Sequence, residues 1–260
     1  MTKITSKNSI DLLIELVKTS FKMRYQNSVL GFLWVLIKPY AMFLVMYLIF
    51  SNIIRSSVEN YALYLLTGVI FITFINELLV LGQMSLLERA HIILKVSFPR
   101  YIAIVAALIG AVINLCINLI LILFIVLMKG IEIDLIGIVH LILVITILFI
   151  WGVGMAFITS ILTVRIRDLK NIIELGMFMM QYGTPIFYSL DDNLIPNSKI
   201  KLLIQYNPLT IMMNQLRAAL NVYGQRDFLL LIIVLVLGLL FLFFSYMYFS
   251  KQVKKIAEFF

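Results

Sequence analysis

Residues 228–250, FLLLIIVLVLGLLFLFFSYMYFS, contain no charged side chain. A helix needs about 20 apolar residues to cross the ~30 Å hydrocarbon core of a bilayer. In hydrocarbon every backbone N–H and C=O must be satisfied without water, and a helix does this within one segment. A run of this kind excludes a purely water-soluble fold. The rest of the chain agrees: 63% of residues are hydrophobic and 13% charged, whereas soluble domains carry roughly 25% charge. The expected fold class is all-α and integral to the membrane, as a single domain over residues 1–260.

Six spans are predicted, at 29–54, 62–83, 101–128, 135–163, 172–188 and 228–250. The fifth is short and ends near Pro185, which predicts an irregular outer end. Basic residues set orientation because they concentrate on the cytoplasmic side. With the N-terminus inside, most of the 21 Lys and Arg fall in cytoplasmic segments, at 3–24, 89–100, 165–170 and 251–255. Arg55, Lys129, Lys199, Lys201, Arg217 and Arg226 fall outside. Both termini are therefore expected in the cytoplasm. The net charge of +8 is a topology signal. Nucleic-acid binding would need a basic soluble domain, and no such segment exists here. A polar, amphipathic N-terminus predicts no cleavable signal peptide.

Three segments do not read as spans. Residues 1–27 carry an amphipathic helix in which Asp11, Glu15, Lys18 and Lys22 share one stripe and Arg24 follows. Such a helix lies in the membrane interface, either as an anchor or as a cuff that also touches a cytosolic partner. Residues 84–100, MSLLERAHIILKVSFPR, are too charged to cross and predict a short cytoplasmic helix, with Glu88 and Arg89 as contact residues. Residues 189–227 are exterior; Asn207-Pro208 marks a helix start, and the helix 208–220 is too short to cross. Irregular backbone at membrane depth survives where protein or a wet cavity covers it.

Little catalytic chemistry is present. The chain lacks the phosphate-binding loop GxxxxGK[ST], the nucleophile elbow and HExxH. Cys116 stands alone, which excludes an internal disulfide, and His91 and His140 lack metal spacing, so no metal site is expected. Two charges fall inside spans, Lys38 and Glu77. Intramembrane charges call for partners, and matched depth on adjacent antiparallel spans predicts a Lys38–Glu77 pair; a shared hydrated path is the competing reading. Tyr25, Phe32, Trp34 and Tyr40 flank the first span, and Phe178 and Tyr182 run along the fifth. Aromatics of this kind either form interfacial belts or line a path on which sugar faces stack.

RYQNSVLGFLWVLIKPY at 24–40 resembles the first-span signature of ABC-2 type permeases that export lipid-linked polysaccharides, through Arg24, Tyr25, Ser28, Leu30, Gly31, Trp34 and Pro39. RIRDLKN at 165–171 resembles that family's loop before span five, carried by Arg167 and Asp168. TPIFYS at 184–189 and YNPLT at 206–210 resemble its two proline-marked outer elements, through Pro185, Tyr188, Asn207 and Pro208, and Arg217 matches an arginine that follows. The family often has a polar amide where this chain has Lys38.

The resemblance implies a homodimer that pairs with two copies of a separate cytosolic ABC ATPase, which holds the ATP and Mg; this chain has no cofactor of its own. It implies a coupling helix between spans two and three, with Glu88, Arg89, Arg167 and Asp168 facing the ATPase, and outer re-entrant elements that gate a channel. The cargo would be an undecaprenyl-linked O-antigen, teichoic acid or capsular chain, crossing the bacterial cytoplasmic membrane among its lipids. Two other readings are an ABC-2 exporter of a drug or small lipid, and an integral-membrane lipid or glycosyl transferase. The transferase would want paired carboxylates or histidines at one membrane face. A proton-coupled carrier would want more ionisable residues in its spans.

Overall fold

The computed structural model describes residues 6–25, 28–53, 58–93, 98–190 and 197–258. Among these residues the regular structure is entirely helical. The helices are α1 (Ser6–Tyr25), α2 (Trp34–Ile53), α3 (Tyr61–Met84), α4 (Ala90–Ile93), α5 (Tyr101–Met128) and α6 (Leu135–Arg165). They continue with α7 (Leu169–Gly183), α8 (Ser198–Gln205), α9 (Pro208–Ala219) and α10 (Phe228–Gln252). A 3-10 turn, Gly31–Leu33, leads into α2, and another, Val253–Glu258, ends the described chain. Five helical segments are long and apolar enough to cross a membrane: Gly31–Ser51, Tyr61–Met84, Tyr101–Met128, Leu135–Arg165 and Phe228–Ile256.

The centre of the bundle is α3. Its residues from Leu63 to Ile72 are buried without a break, which is why it is apolar all round and not on one stripe. It packs between α5 and α6, with α2 and α7 on its other sides. Small residues allow the closest approach, as in membrane helix pairs generally. A Cβ added at Gly82 would stand 2.7 Å from the Ala156 Cβ, and one at Gly152 would stand 3.2 Å from Leu78. Positions 78 and 82 advance together with 152 and 156, so α3 and α6 run in the same direction.

Helix α10 joins them in the same sense, since Trp151 Nε1 donates to the Val234 carbonyl at 3.3 Å and Arg165 Nη2 donates to Gln252 Oε1 at 2.6 Å. Helix α5 runs the other way: Asn114 meets Glu77 while Leu108 lies beside Gly82. One end of the bundle thus gathers Met84, Tyr101, Arg165 and Gln252, and Arg100 donates to the Val253 carbonyl there. The opposite end gathers Tyr61, Leu135, α9 and Phe228.

Helix α1 lies on the first end. Leu16 is buried against Ile102 and Ala106 of α5, with Leu12, Leu13 and Val17 around it. Asp11, Glu15, Lys18 and Lys22 are all exposed, so the expected polar stripe is present and faces away from the bundle. The side chains of Arg24 and Tyr25 lie outside the described residues.

Two expectations need correction. The fifth predicted span, 172–188, is a helix only over Leu169–Gly183, which has 15 residues. At 1.5 Å per residue it is about 22 Å long and short of the hydrocarbon thickness. It stops because the residue before a proline is driven out of the helical region, and Thr184, before Pro185, is extended at φ −117°, ψ 143°. Thr184–Ser189 then continues as non-helical chain with most of its residues buried. The predicted helix at 84–100 is also not continuous. Ser85–Arg89 is a turn, α4 has 4 residues, and 94–97 lie outside the described residues.

Candidate functional site

Pro185, Tyr188, Asn207, Pro208 and Arg217, far apart in sequence, meet at the end of the bundle that holds the start of α3. Asn207 caps α9 by accepting from Leu209 N at 3.0 Å, and Pro208 supplies the N1 position. The same Asn207 side chain donates from Nδ2 to the Gly183 carbonyl at 3.3 Å, fastening α9 to the end of α7. Tyr64 Oη donates to the carbonyls of Pro185 and Tyr188 at 3.0 and 2.9 Å, and Tyr61 Oη donates to that of Phe187 at 2.7 Å. Irregular backbone is tolerated at this depth because α3 supplies its donors.

Arg217 is the keystone and is fully buried. Its Nη1 donates to the Pro185 carbonyl at 3.2 Å and to Asn214 Oδ1 at 3.5 Å. Its Nη2 donates to the carbonyls of Tyr64 at 3.0 Å and Ile186 at 3.4 Å. The guanidinium carbon lies 3.4 Å from the centre of the Tyr64 ring, a cation–π contact. Carbonyl dipoles and a ring therefore hold a charge that would otherwise be prohibitive to bury. Burial pulls its pKa down, opposed by the Tyr64 hydroxyl. Gly68 makes room: a Cβ there would fall 2.6 Å from Arg217 Nη2.

A second latch closes the same end. Arg226 forks onto Asp134 at 2.7 and 2.5 Å, and its Nη2 also donates to Asn221 Oδ1 at 2.5 Å. Asn221 sits at φ 53°, a left-handed conformation that asparagine tolerates, and donates to the Glu132 carbonyl at 2.7 Å. The Arg226 hydrogen bond holds the Asp134 carboxyl below the usual carboxylate range. His140 Nε2 and Gln215 Oε1, 2.9 Å apart, join α6 to α9 beneath it.

Between α2, α3 and α5 lies a half-open cleft of about 420 Å3, at which Lys38 is exposed and Glu77 half-buried. Lys38 and Trp34 reach it from α2, Thr73 and Glu77 from α3, and Asn114 and Asn118 from α5. Lys38 and Glu77 each lie about 10 Å along their helices from Gly31 and Met84 respectively. The two intramembrane charges therefore share a level and a cleft, as their depths predicted.

The expected direct pair is not what forms. Among the described residues the ion pairs are Lys170–Glu174 and Arg226–Asp134. Glu77 Oε2 instead accepts from Asn114 Nδ2 at 2.9 Å, while the Lys38 ammonium stands 6.0 Å from the Trp34 ring centre. Pro39 explains the neighbouring asparagine. A proline has no N–H for the carbonyl four residues back, which is that of Val35, and Asn118 Nδ2 donates to the Val35 carbonyl at 3.4 Å. Asn114 and Asn118 are absent from the sequence-predicted site. Their signal was available: two carboxamides one helical turn apart in an otherwise apolar span.

The aromatic residues expected along a path divide between helices. Phe32 and Trp34 are exposed at the start of α2 and Tyr40 is half-buried. Phe178 and Tyr182 are exposed on α7 and meet edge to face at 5.4 Å. Phe187, another aromatic of the fifth predicted span, lies just beyond α7 and stacks on Phe50 of α2 at 5.2 Å.

At the opposite end Glu88, Arg167 and Asp168 are exposed. Arg89 is not: it is 5% exposed, donates from Nη1 to the Ser85 carbonyl at 3.2 Å, and reaches Ser20 Oγ of α1 at 2.5 Å. The turn at 85–89 reverses the direction that a continuous helix would have given it. Arg89 thus ties the turn to α1, and Glu88 alone of the two faces outward.

The chain is similar to proteins named O-antigen export system permease protein RfbA. It is 29% identical to the one from Klebsiella pneumoniae over 204 residues, covering 78% of this chain and 77% of the relative. It is 25% identical to the one from Myxococcus xanthus over 210 residues, covering 80% and 79%. Residues 11–221, which run from α1 through the buried arginine to Asn221, match the ABC-2 type transporter family. That match covers most of the sequence and includes four of the five helices of spanning length, and on it this chain belongs to the ABC-2 type transporter family.

Proposed function

We propose that this chain is the permease subunit of an ATP-driven exporter that carries a lipid-linked polysaccharide, of the O-antigen, teichoic acid or capsular kind, across the bacterial cytoplasmic membrane. The observation that carries the reading is the similarity, over most of both chains, to permeases named for O-antigen export. Six crossings place both termini in the cytoplasm, with α7 and the buried chain at 184–189 making the fifth. Two copies of the chain face each other, and two copies of a cytosolic ABC ATPase supply ATP and Mg. Glu88, Arg167 and Asp168, exposed at one end, meet the ATPase, and Arg89 passes the motion of that turn to α1. The cap around Arg217 is the outer gate, and Phe178 and Tyr182 belong to the path.

Deletion of the chain in its native cell, followed by measurement of surface polysaccharide, tests this. Loss of surface polymer with accumulation of lipid-linked polymer inside is the expected result. Unchanged surface polymer overturns the reading. Co-purification tests the division of labour: ATP turnover should require the separate ATPase, and turnover by this chain alone would refute it.

A further inference from the structure

We infer that His140 is a proton-sensitive joint, which holds α9 against α6 while neutral and releases it in acid. The imidazole is fully buried and ties three elements. It projects from α6, its Nε2 lies 2.9 Å from Gln215 Oε1 on α9, and its ring meets Phe228, the first residue of α10, edge to face at 4.8 Å. Gln215 fixes where the imidazole proton sits. Its Oε1 accepts from the Asp227 main-chain N at 3.0 Å, and its Nε2 donates to the Gln225 carbonyl at 3.4 Å. A main-chain N–H only donates and a carbonyl only accepts, so the amide cannot be turned round. Its oxygen therefore faces the ring, and His140 Nε2 is the donor. Nδ1 carries the lone pair; it is buried and has no partner among the described residues.

A second proton goes onto Nδ1. It would place a cation in a buried site with no acceptor for the new N–H, which is costly. The neighbouring charges do not relieve that cost. Arg226 repels a charge on the ring and Asp227 attracts it, but Asp227 is exposed and its Oδ1 caps α10 by accepting from Leu230 N at 2.9 Å. On the α5–α6 link and the cap of α6, Lys129, Glu132 and Asp134 are exposed, and Asp134 is held by Arg226. On α9, Arg217 turns to α3, among Tyr61, Tyr64 and Tyr223. Above about pH 6.5 an imidazole is neutral whether the joint is closed or open. Below it the open joint takes up a proton that the closed joint excludes, so acid favours opening. Gln215 is two residues from Arg217, so release of α9 loosens the keystone's hold on the Pro185 carbonyl. With the cap read as the outer gate, acid on that side eases its opening; this consequence alone rests on the exporter reading.

The chain has 2 histidines, and His91 is exposed on α4, so His91→Gln leaves His140 as the single imidazole. The full-length protein in nanodiscs, labelled with nitrogen-15 histidine, should show a protonated Nε2 and a bare Nδ1 at about pH 7.5. Between about pH 7.5 and 5.5 its thermal midpoint should fall by about 3 °C more than when His140→Gln is added. That variant keeps an amide donor for Gln215 and cannot titrate. A proton on Nδ1 at the higher pH, a charged ring at the lower pH in a chain whose midpoint has not moved, or equal falls in the two chains overturns the joint. Should His140→Gln not fold, the first two outcomes still decide it. Both readouts use the purified chain, so they stand or fall apart from the exporter reading, which surface polymer in the deletion strain decides.

Discussion

Charges at the two ends of α3 are handled in opposite ways. At its start, Arg217 is enclosed by the carbonyls of Tyr64, Pro185 and Ile186 and by the Tyr64 ring. Near its other end, an exposed Lys38 and a half-buried Glu77 border one cleft, with two unpartnered amide oxygens packed behind its wall. At the cap the terminal nitrogens of the guanidinium are paired and Arg217 Nε is left over, and a largely satisfied polar network in a low-dielectric site holds one geometry and rigidifies what it joins. An unsatisfied one costs stability, and a fold retains that cost where something other than stability is served. The cap should therefore lose more stability on substitution than the cleft does.

Replacing the keystone should have the largest effect. Arg217→Met leaves the buried Ile186 carbonyl without its donor, at about 1–3 kcal/mol, and removes the desolvated contact with the Tyr64 ring, at about 2 kcal/mol, although the Pro185 and Tyr64 carbonyls keep the Tyr64 and Thr67 hydroxyls. The thermal midpoint of the purified protein, followed by the loss of its monodisperse peak, should fall steeply. A midpoint within error of wild type would mean that the cap is not the locked body described here. Gly68→Ala probes the same network from α3 with a smaller push. The added Cβ falls 2.6 Å from Arg217 Nη2 and 3.2 Å from the Ile186 Cγ2. The guanidinium is pinned, so it cannot step aside, and overpacking at about 1–3 kcal/mol is expected.

At the cleft the loss of stability should be smaller. Asn118→Leu removes the donor that stands in for the missing Pro39 N–H, but it also removes an orphaned oxygen. The two nearly offset, for a net loss of about 1 kcal/mol. The same variant should lower polymer export far more than its midpoint shift accounts for, measured as surface polysaccharide per inserted permease. A loss of export that merely tracks a loss of protein would erase the distinction between the two regions.

How much of this was legible follows the same divide. The cap was marked by backbone chemistry: Thr184 before Pro185 ends a helix, and Asn207-Pro208 starts one. Such signals are local and survive without knowledge of the fold. Arg217 could be singled out, yet not its burial, because an arginine beside Met212 and Met213 reads equally well as a surface residue until Gly68 and Tyr64 are placed opposite it. Depth counting brought Lys38 and Glu77 to one level, since rise per residue is fixed. The partners they choose depend on rotamers and on α5, and the two asparagines were passed over because only full charges were sought in the spans. Arg89 was misplaced for a geometric reason: a helix was expected through 84–100, and a turn at 85–89 rotates every side chain that follows.

The smallest effect belongs to the latch at the rim of the cap. Asp134 is paired with Arg226 and its carboxyl titrates below the ordinary range. A carboxylate with a depressed folded pKa contributes stability that is fully present above its unfolded value of about 3.9 and is lost as pH falls through the folded value. The contribution is modest because Asp134 is solvent-facing and screened. Wild type and Asp134→Asn should therefore differ slightly in thermal midpoint at neutral pH, and the gap should close on acidification below about pH 4. It should also narrow as salt is raised, since the Debye length is about 3 Å at 1 M. The absence of a gap at neutral pH would show that Asn221 and the Ala218 carbonyl, which also accept from Arg226, hold the latch without the carboxylate, whereas a gap that persists at low pH would show that the Asp134 contribution does not come from its charge.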